Sequence, residues 1–298
     1  LRQLRYFSAA KECSSFNEAA KSCSISQPAL SEQIAALEMT LGLRLFDRSG
    51  GRARPTQPAN QLHLQISACL GDLQAALRSI SDRSQEVGGL VRIGLVQSYG
   101  ECWVLPVVRR AQEQWPALSV SLRRRSAQAL TDGVLRGDFE LAVTFDPEPS
   151  ADLEITKCFQ EQFVAISNAP HNGESIDLVT LAQVKLALLP SEYMMRRQLD
   201  AAFAKARLKP CVYLESDVLS DLAEATRYNN VTAVMNTMAA LSLNMLDGAR
   251  PISAPGLHRS AYLIRSRKRY HTSASLHLWE ALREGVPPLP AAFVLRDV

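Results

Sequence analysis

The sequence predicts an α/β protein built as a winged helix-turn-helix, a long linker helix and a C-terminal two-lobed α/β domain. Three observations carry that prediction. Residues 16–41 hold two short amphipathic segments around a polar break, with paired alanines in the first. Residues 57–84 repeat apolar side chains in alternating steps of four and three. After Val87-Gly88-Gly89 the texture changes to alternating strand and helix patterns. At 298 residues the chain is long for one core, so more than one domain is expected.

Composition narrows the class without deciding it. Hydrophobic residues make up 47% and charged residues 21%, the balance of an ordinary globular protein. Net charge is only +3, so any affinity for a polyanion must come from a local concentration of charge. No apolar run approaches the ~20 residues needed to cross a bilayer, and no membrane partner is expected. Leu1-Arg2-Gln3-Leu4-Arg5 lacks the apolar core of a secretion signal and no Met opens it. A few preceding residues and a cytoplasmic location are therefore expected. The cysteines at 13, 23, 69, 102, 158 and 211 form no CxxC and no cluster with histidine. No metal site and no disulfide framework is assigned, and isolated core thiols are expected.

Leu1, Leu4, Phe7 and Ala10 give the first helix, ending near Cys13. Ser14-Ser15 interrupts it and can cap a second helix from Phe16 to Ser22, in which Ala19 and Ala20 allow close approach of a neighbour. Ser24-Ile25-Ser26 forms a turn. Ser26 then caps a third helix whose first turn contains Pro28, where the missing N–H has no partner to lose. Leu30, Ile34, Leu37 and Leu41 place one side of this helix in the core. Gln27, Pro28, Ser31, Glu32 and Ala35 lie on the other, and a small polar face suits a major groove about 12 Å wide. Two helices around such a turn form the helix-turn-helix that inserts its second helix into DNA. Gly42 closes the helix. Residues 44–54 carry Arg44, Arg48, Arg52 and Arg54 against Asp47 alone, around a Ser49-Gly50-Gly51 tip. That is a basic wing, suited to phosphate or minor-groove contact.

From Gln57 to Ser84, Leu62, Ile66, Cys69, Leu73 and Ile80 form a heptad seam, widened by Leu70 and Leu77, as in a dimerising helix. Gly71 weakens it by roughly 1 kcal/mol relative to Ala. The expected boundaries are 1–57 for the head, 58–86 for the linker helix and 87–298 for the two-lobed domain. In that domain, strands at Leu90–Val96, Ser119–Arg124 and Glu140–Phe145 alternate with helices at Val104–Gln114 and Ala127–Arg136. A second set has strands near Gln162–Ile166, Lys185–Leu189, Val212–Glu215 and Val231–Val234, with helices at Arg196–Ala206 and Leu219–Tyr228. The βαβα order implies a mostly parallel sheet, and two such sets imply two lobes with a ligand cleft at strand ends and helix N-termini.

Leu4-Arg5-Tyr6-Phe7, Ser15-Phe16, Ala19-Ala20, Ser26 through Ser31, Gln33-Ile34, Leu37-Glu38, Leu41-Gly42 and Leu45-Phe46-Asp47-Arg48 together resemble the LysR-type transcriptional regulators. The resemblance extends along the chain. Val91-Arg92-Ile93-Gly94 is similar to the family's first effector-domain strand, and Leu135 to Val143 to its Gly-x-x-Asp-Leu-Ala-Ile segment. Residues 175–240 most resemble the small-molecule-sensing members, including the cyanate-responsive regulators. The resemblance implies a ligand-responsive bacterial-type regulator of transcription with a periplasmic-binding-protein-like effector domain. It also implies dimers through the linker helix, tetramers on double-stranded promoter DNA, and a small-molecule co-inducer in place of any cofactor. Carried onto this sequence, it puts DNA contacts at Gln27, Pro28, Ser31 and Glu32, with Arg48 and Arg52 in the wing. Effector contacts would come from Gln97, Ser98, Ser126, Phe145 and Ser191.

Three departures stand out. Glu32 occupies a position that is often basic in the family, and it faces a polyanion. Pro55-Thr56-Gln57-Pro58-Ala59-Asn60 replaces the usual Leu-Thr-x-Ala-Gly at the start of the linker helix. Asn230-Val231-Thr232 replaces Gly-x-Gly near the hinge, so side chains are expected to narrow or repolarise the cleft.

An enzyme or a solute-binding protein built on the lobes is the competing reading. No GxSxG, GxGxxG, P-loop or HExxH is present, and no catalytic residue is assigned. His63 falls in the linker helix, while His171, His258, His271 and His277 are expected singly in loops or at helix ends. Arg123-Arg124-Arg125 lies along a strand with alternating faces, so one of the three could reach the cleft. Arg265 to Arg269 reads as a solvated strand end, and Met194-Met195 as lobe interior.

Overall fold

The computed structural model describes residues 1–13, 15–47, 53–63, 65–66, 73, 87–168, 175–228, 230–290 and 293. Its head comprises α1 (Arg2–Glu12), α2 (Phe16–Ser22) and α3 (Gln27–Leu41) around Phe7, Ala19, Ala20, Leu30, Ile34 and Leu45, all buried. Each boundary has a local cause. Ser15 Oγ accepts from the Glu18 N–H at 3.2 Å, and Ser26 Oγ from the Ala29 N–H at 3.3 Å. Gly42 ends α3 at φ +66°, a conformation open to glycine. Leu41 is 41% exposed rather than in the core, because it lies at a helix end that runs past it.

Strands β1 (Phe46–Asp47) and β2 (Arg54–Pro55) pair antiparallel as the base of the wing. The Glu38 carboxylate accepts from the Leu45 and Phe46 N–H groups at 2.7 and 3.0 Å, which fastens the wing to α3. The opening of the linker helix is settled by Thr56. Its Oγ1 donates to the Arg44 carbonyl at 2.8 Å and accepts from the Ala59 N–H at 3.3 Å, and the chain is helical over 57–63. Arg48, Arg52, the wing tip and most of the heptad seam lie outside the described residues.

In the second domain, β3 (Gly89–Leu95) runs parallel to β4 (Leu118–Arg124) and β5 (Leu141–Phe145), beneath α4 (Leu105–Gln114) and α5 (Ala127–Arg136). A Cβ at Gly94 would stand 2.5 Å from Leu130 and 2.9 Å from Phe139, so the bare backbone is what lets α5 dock on β3. Strand β6 (Leu153–Ile166) then leads to the second lobe: β7 (Ile176–Asp177), α6 (Leu178–Ala182), β8 (Lys185–Leu188), α7 (Met194–Lys205), β9 (Cys211–Glu215), α8 (Leu219–Ala225) and β10 (Val231–Asn236). The chain returns through α9 (Thr237–Ser242), β11 (Ala249–Ser253), β12 (His258–Ser266) and α10 (Ser273–Glu284).

The strand path is β4-β3-β5-β12-β6-β10-β8-β9. Pairing is parallel inside each lobe, as expected, but antiparallel where β5, β12, β6 and β10 join them. Of the crossing strand β6, only the last five residues were anticipated. Its first half pairs with β12 and its second with β10 and β11, so one strand belongs to both lobes. Two separate apolar cores flank this junction, one around Tyr99 and Trp103, the other around Phe163 and Phe203.

Candidate DNA-reading face and effector cleft

On α3, Leu30, Ile34 and Leu37 are buried, and the opposite side presents Gln27, Pro28 and Glu32 to solvent with Ser31 half-buried between them. Gln27 Nε2 donates to Ser31 Oγ at 2.9 Å, which presets the amide near the helix start. An amide can pair with both edge groups of adenine in the major groove. Arg44 and Arg54, at the two roots of the wing, are exposed beside it.

The cleft floor is built differently. Arg259 on β12 lies directly across from Glu161 on β6, and its Nε donates to Glu161 Oε1 at 2.7 Å. Glu161 is completely buried and also accepts from Tyr99 Oη, Asn236 Nδ2 and the Met238 N–H, each at 2.8 Å. Arg259 Nη2 donates to Ser98 Oγ at 2.7 Å. The guanidinium lies 4.5 Å from the Phe145 ring centroid and 5.1 Å from that of Tyr99. Burial first, and then the neighbouring Glu161 charge, push the Tyr99 hydroxyl well above its ordinary range, so it stays a donor.

Two of the five expected effector residues, Ser98 and Phe145, therefore meet on Arg259. Ser98 is only 5% exposed, and its hydroxyl accepts from Arg259. Gln97 is exposed beside it. Ser126 caps α5, accepting from the Ala129 N–H at 3.4 Å, and Ser191 is exposed in the turn before α7; neither belongs to the Arg259 network. Glu161, Arg259, Tyr99 and Asn236 were not anticipated. The faint signal for them was a polar run, Gln160-Glu161-Gln162, between Phe159 and Phe163. Thr232 is 4% exposed in the β10 interior, four residues before Asn236 and so roughly 13 Å up the strand. The Asn230-Val231-Thr232 departure thus does not narrow the floor at Glu161.

Other expectations resolve simply. Burial raises the Cys102 thiol to about 12 and the Cys158 thiol to about 11, so neither supplies a reactive thiolate. Among the described residues no group of three or more His, Cys, Asp or Glu could hold a metal ion. His258 opens β12 and His277 sits within α10, rather than in loops or helix ends; His171 is outside the described residues. Arg124 pairs with Glu101 at 2.5 Å, while Arg123 and Arg125 donate to the backbone carbonyls of Leu122 and Arg124. Arg123 and Arg125 line, with Arg2, Arg5, Glu12 and Asp138, a cavity of about 1080 Å³ between the head and the first lobe, and none of the predicted effector residues lines it. Arg265 pairs with Glu154 at 2.8 Å over the Trp279 ring, and Lys268 with Asp152 at 2.7 Å. Met195 is buried as expected, whereas Met194 is 37% exposed.

Residues 1–60 match the family model "Bacterial regulatory helix-turn-helix protein, lysR family", and residues 84–287 match "LysR substrate binding domain". The chain is 28% identical to the nitrogen assimilation regulatory protein nac of Klebsiella aerogenes, over 82% of this chain and 80% of that one. It is 25% identical to the uncharacterized HTH-type transcriptional regulator YfeR of Shigella flexneri, over 95% and 93%. Among solved structures, a full-length OxyR variant from Pseudomonas aeruginosa shares the fold with a TM-score of 0.75 at 21% identity, covering 99% of this chain and 98% of that one. CbnR, a LysR family transcriptional regulator, does so with a TM-score of 0.66 at 19% identity, covering 96% and 99%.

Proposed function

Because the chain belongs to the LysR-type family of transcriptional regulators, we propose that it reads promoter DNA through the exposed face of α3 and alters that binding when a small molecule enters the inter-lobe cleft. The observation that carries the reading is the Ser26-capped helix with Gln27, Pro28, Ser31 and Glu32 facing outward. These four residues read bases, and Arg48 and Arg52 neutralise phosphates at the wing. Glu32 is repelled by phosphate but can accept from cytosine N4, so it biases base preference.

In this reading the head spans 1–57, the linker helix 58–86 dimerises the chain, and residues 87–298 sense the effector. Dimers pair into tetramers on DNA. Gln97, Ser98, Ser126, Phe145 and Ser191 contact the effector, with Ser98 and Phe145 beside Arg259. The effector acts by population shift: it favours one arrangement of the lobes, which changes the spacing of the paired heads and the bend of the DNA.

The test is selection of bound sequences from a random duplex pool by the full chain, followed by salt titration on the selected duplex. Recovery of a dyad-symmetric site is expected, and Arg48→Ala should reduce the slope of log affinity against log salt by about one, the counterion released per phosphate contact. A pool that yields no preferred sequence would overturn the reading.

A further inference from the structure

We propose that Glu161 is a pin between the lobes, holding them at their resting angle, and that this regulator switches by loosening it. The proposal rests on the reading of the chain as an effector-responsive regulator and adds what sets the unliganded state. The two carboxylate oxygens gather donors from both sides of the junction. Oε1 accepts from Tyr99 Oη at 2.8 Å and Arg259 Nε at 2.7 Å, and Arg259 continues to Ser98, so this oxygen is tied to the first lobe. Oε2 accepts from Asn236 Nδ2 at the end of β10 in the second lobe, and from the Met238 N–H at the start of α9, where the Met238 side chain packs into the first core; both lie at 2.8 Å.

Glu161 itself sits on β6, the strand shared by both sheets. A rotation of one lobe against the other therefore strips donors from one oxygen or the other. An ion pair serving stability alone needs only Arg259. The three further donors, drawn from both sides of the junction, are what a device fixing relative orientation needs. Only a carboxylate offers acceptor sites for four donors, since glutamine would turn two N–H groups toward groups that also donate.

The pin also adjoins two of the residues assigned to the effector. Ser98 Oγ receives Arg259 Nη2, and Phe145 lies against the same guanidinium. A ligand that takes either the Ser98 hydroxyl or that Arg259 donor removes a bond on the first-lobe side. Ligand entry and release of the lobes then become one event, with differential affinity for the two arrangements.

The experiment uses the full chain and its selected duplex. Tyr99→Phe cuts one bond on the Oε1 side, and Asn236→Ala cuts one on the Oε2 side. Arg265→Gln breaks the Arg265–Glu154 pair within the first lobe and serves as the control. Small-angle scattering of the free proteins and circular-permutation assays of DNA bending are measured beside thermal midpoints. Both pin variants should shift the scattering profile and the bend angle, while the control leaves both at wild-type values whatever its midpoint. Pin variants that lose midpoint but keep the wild-type scattering and bend would overturn the proposal, because the network would then be only structural. Failure of the wild type to bind any duplex would instead sink the regulator reading, and the scattering comparison would still test the pin.

Discussion

Gln27, Pro28 and Glu32 stand in solvent on α3, whereas Glu161, Arg259 and Tyr99 at the cleft floor are buried and commit their donors and acceptors to one another. The difference follows from what each region must do. A surface that reads a partner keeps its polar atoms open to solvent, as with the exposed Gln27–Ser31 bond, and it tolerates change at little thermodynamic cost. A junction that must hold an angle closes its polar network within the chain, so losing one member leaves the others buried and unpaired. Stability should accordingly be sensitive at the junction and insensitive on the DNA-reading face.

The largest expected effect is at Glu161. Replacement by Ala strands the Arg259 guanidinium and should lower unfolding free energy by about 3–5 kcal/mol, as read by urea denaturation of the full chain. A loss below about 1 kcal/mol would erase the contrast between the regions, since that is the worth of an exposed pair. On α3 the same contrast runs across one helix. Ile34→Ala on its buried side should reduce stability by roughly 2–5 kcal/mol through lost packing, measured on the same urea transition. A change there as small as that of Gln27→Ala would mean the helix is not anchored as described.

How far the sequence revealed each region depends on the reach of its interactions. The head was legible because its contacts are local: Ser26 caps Ala29, and Leu30, Ile34 and Leu37 recur at helical spacing. The exception, Leu41, fails because periodicity does not say where the core ends. At the junction Ser98 meets a partner 161 positions away and Glu161 one 98 positions away, and no local pattern encodes such pairings. The first half of β6 escaped notice because Glu154, Thr156 and Lys157 interrupt its apolar residues, although its backbone pairs with β12 throughout. Of the effector positions implied by resemblance, Ser98 and Phe145 meet Arg259, whereas Arg259 and Glu161 come from the crossing strands, which no local pattern marks.

Smaller effects sharpen the comparison. Ser26→Ala removes the cap of α3 and should lower stability by about 1 kcal/mol, seen as a shift of the same urea midpoint. A larger effect would mean the hydroxyl also supports the turn. The smallest expected change concerns His271, whose Nε2 lies 2.8 Å from the Ser266 carbonyl. Burial holds its value below the ordinary histidine range, and the nearby Arg265 charge adds to this. The unfolded chain therefore takes up the proton first, so this contribution is intact above the unfolded value and is lost as pH falls through it toward the folded one. Between about pH 8 and about pH 5.5 the wild-type midpoint should drop more than that of His271→Gln, followed by differential scanning calorimetry. Equal drops would place the titration elsewhere.

The most direct test of the account is anisotropy titration of Gln27→Ala/Ser31→Ala against the selected duplex and against a scrambled one, with thermal midpoints in parallel. An unchanged midpoint, unchanged affinity for the scrambled duplex, and at least about a tenfold loss on the selected one are expected, within the roughly 1–3 kcal/mol carried by a bidentate base contact. Full affinity for the selected duplex would contradict it, because the polar side of α3 would then not be what reads DNA.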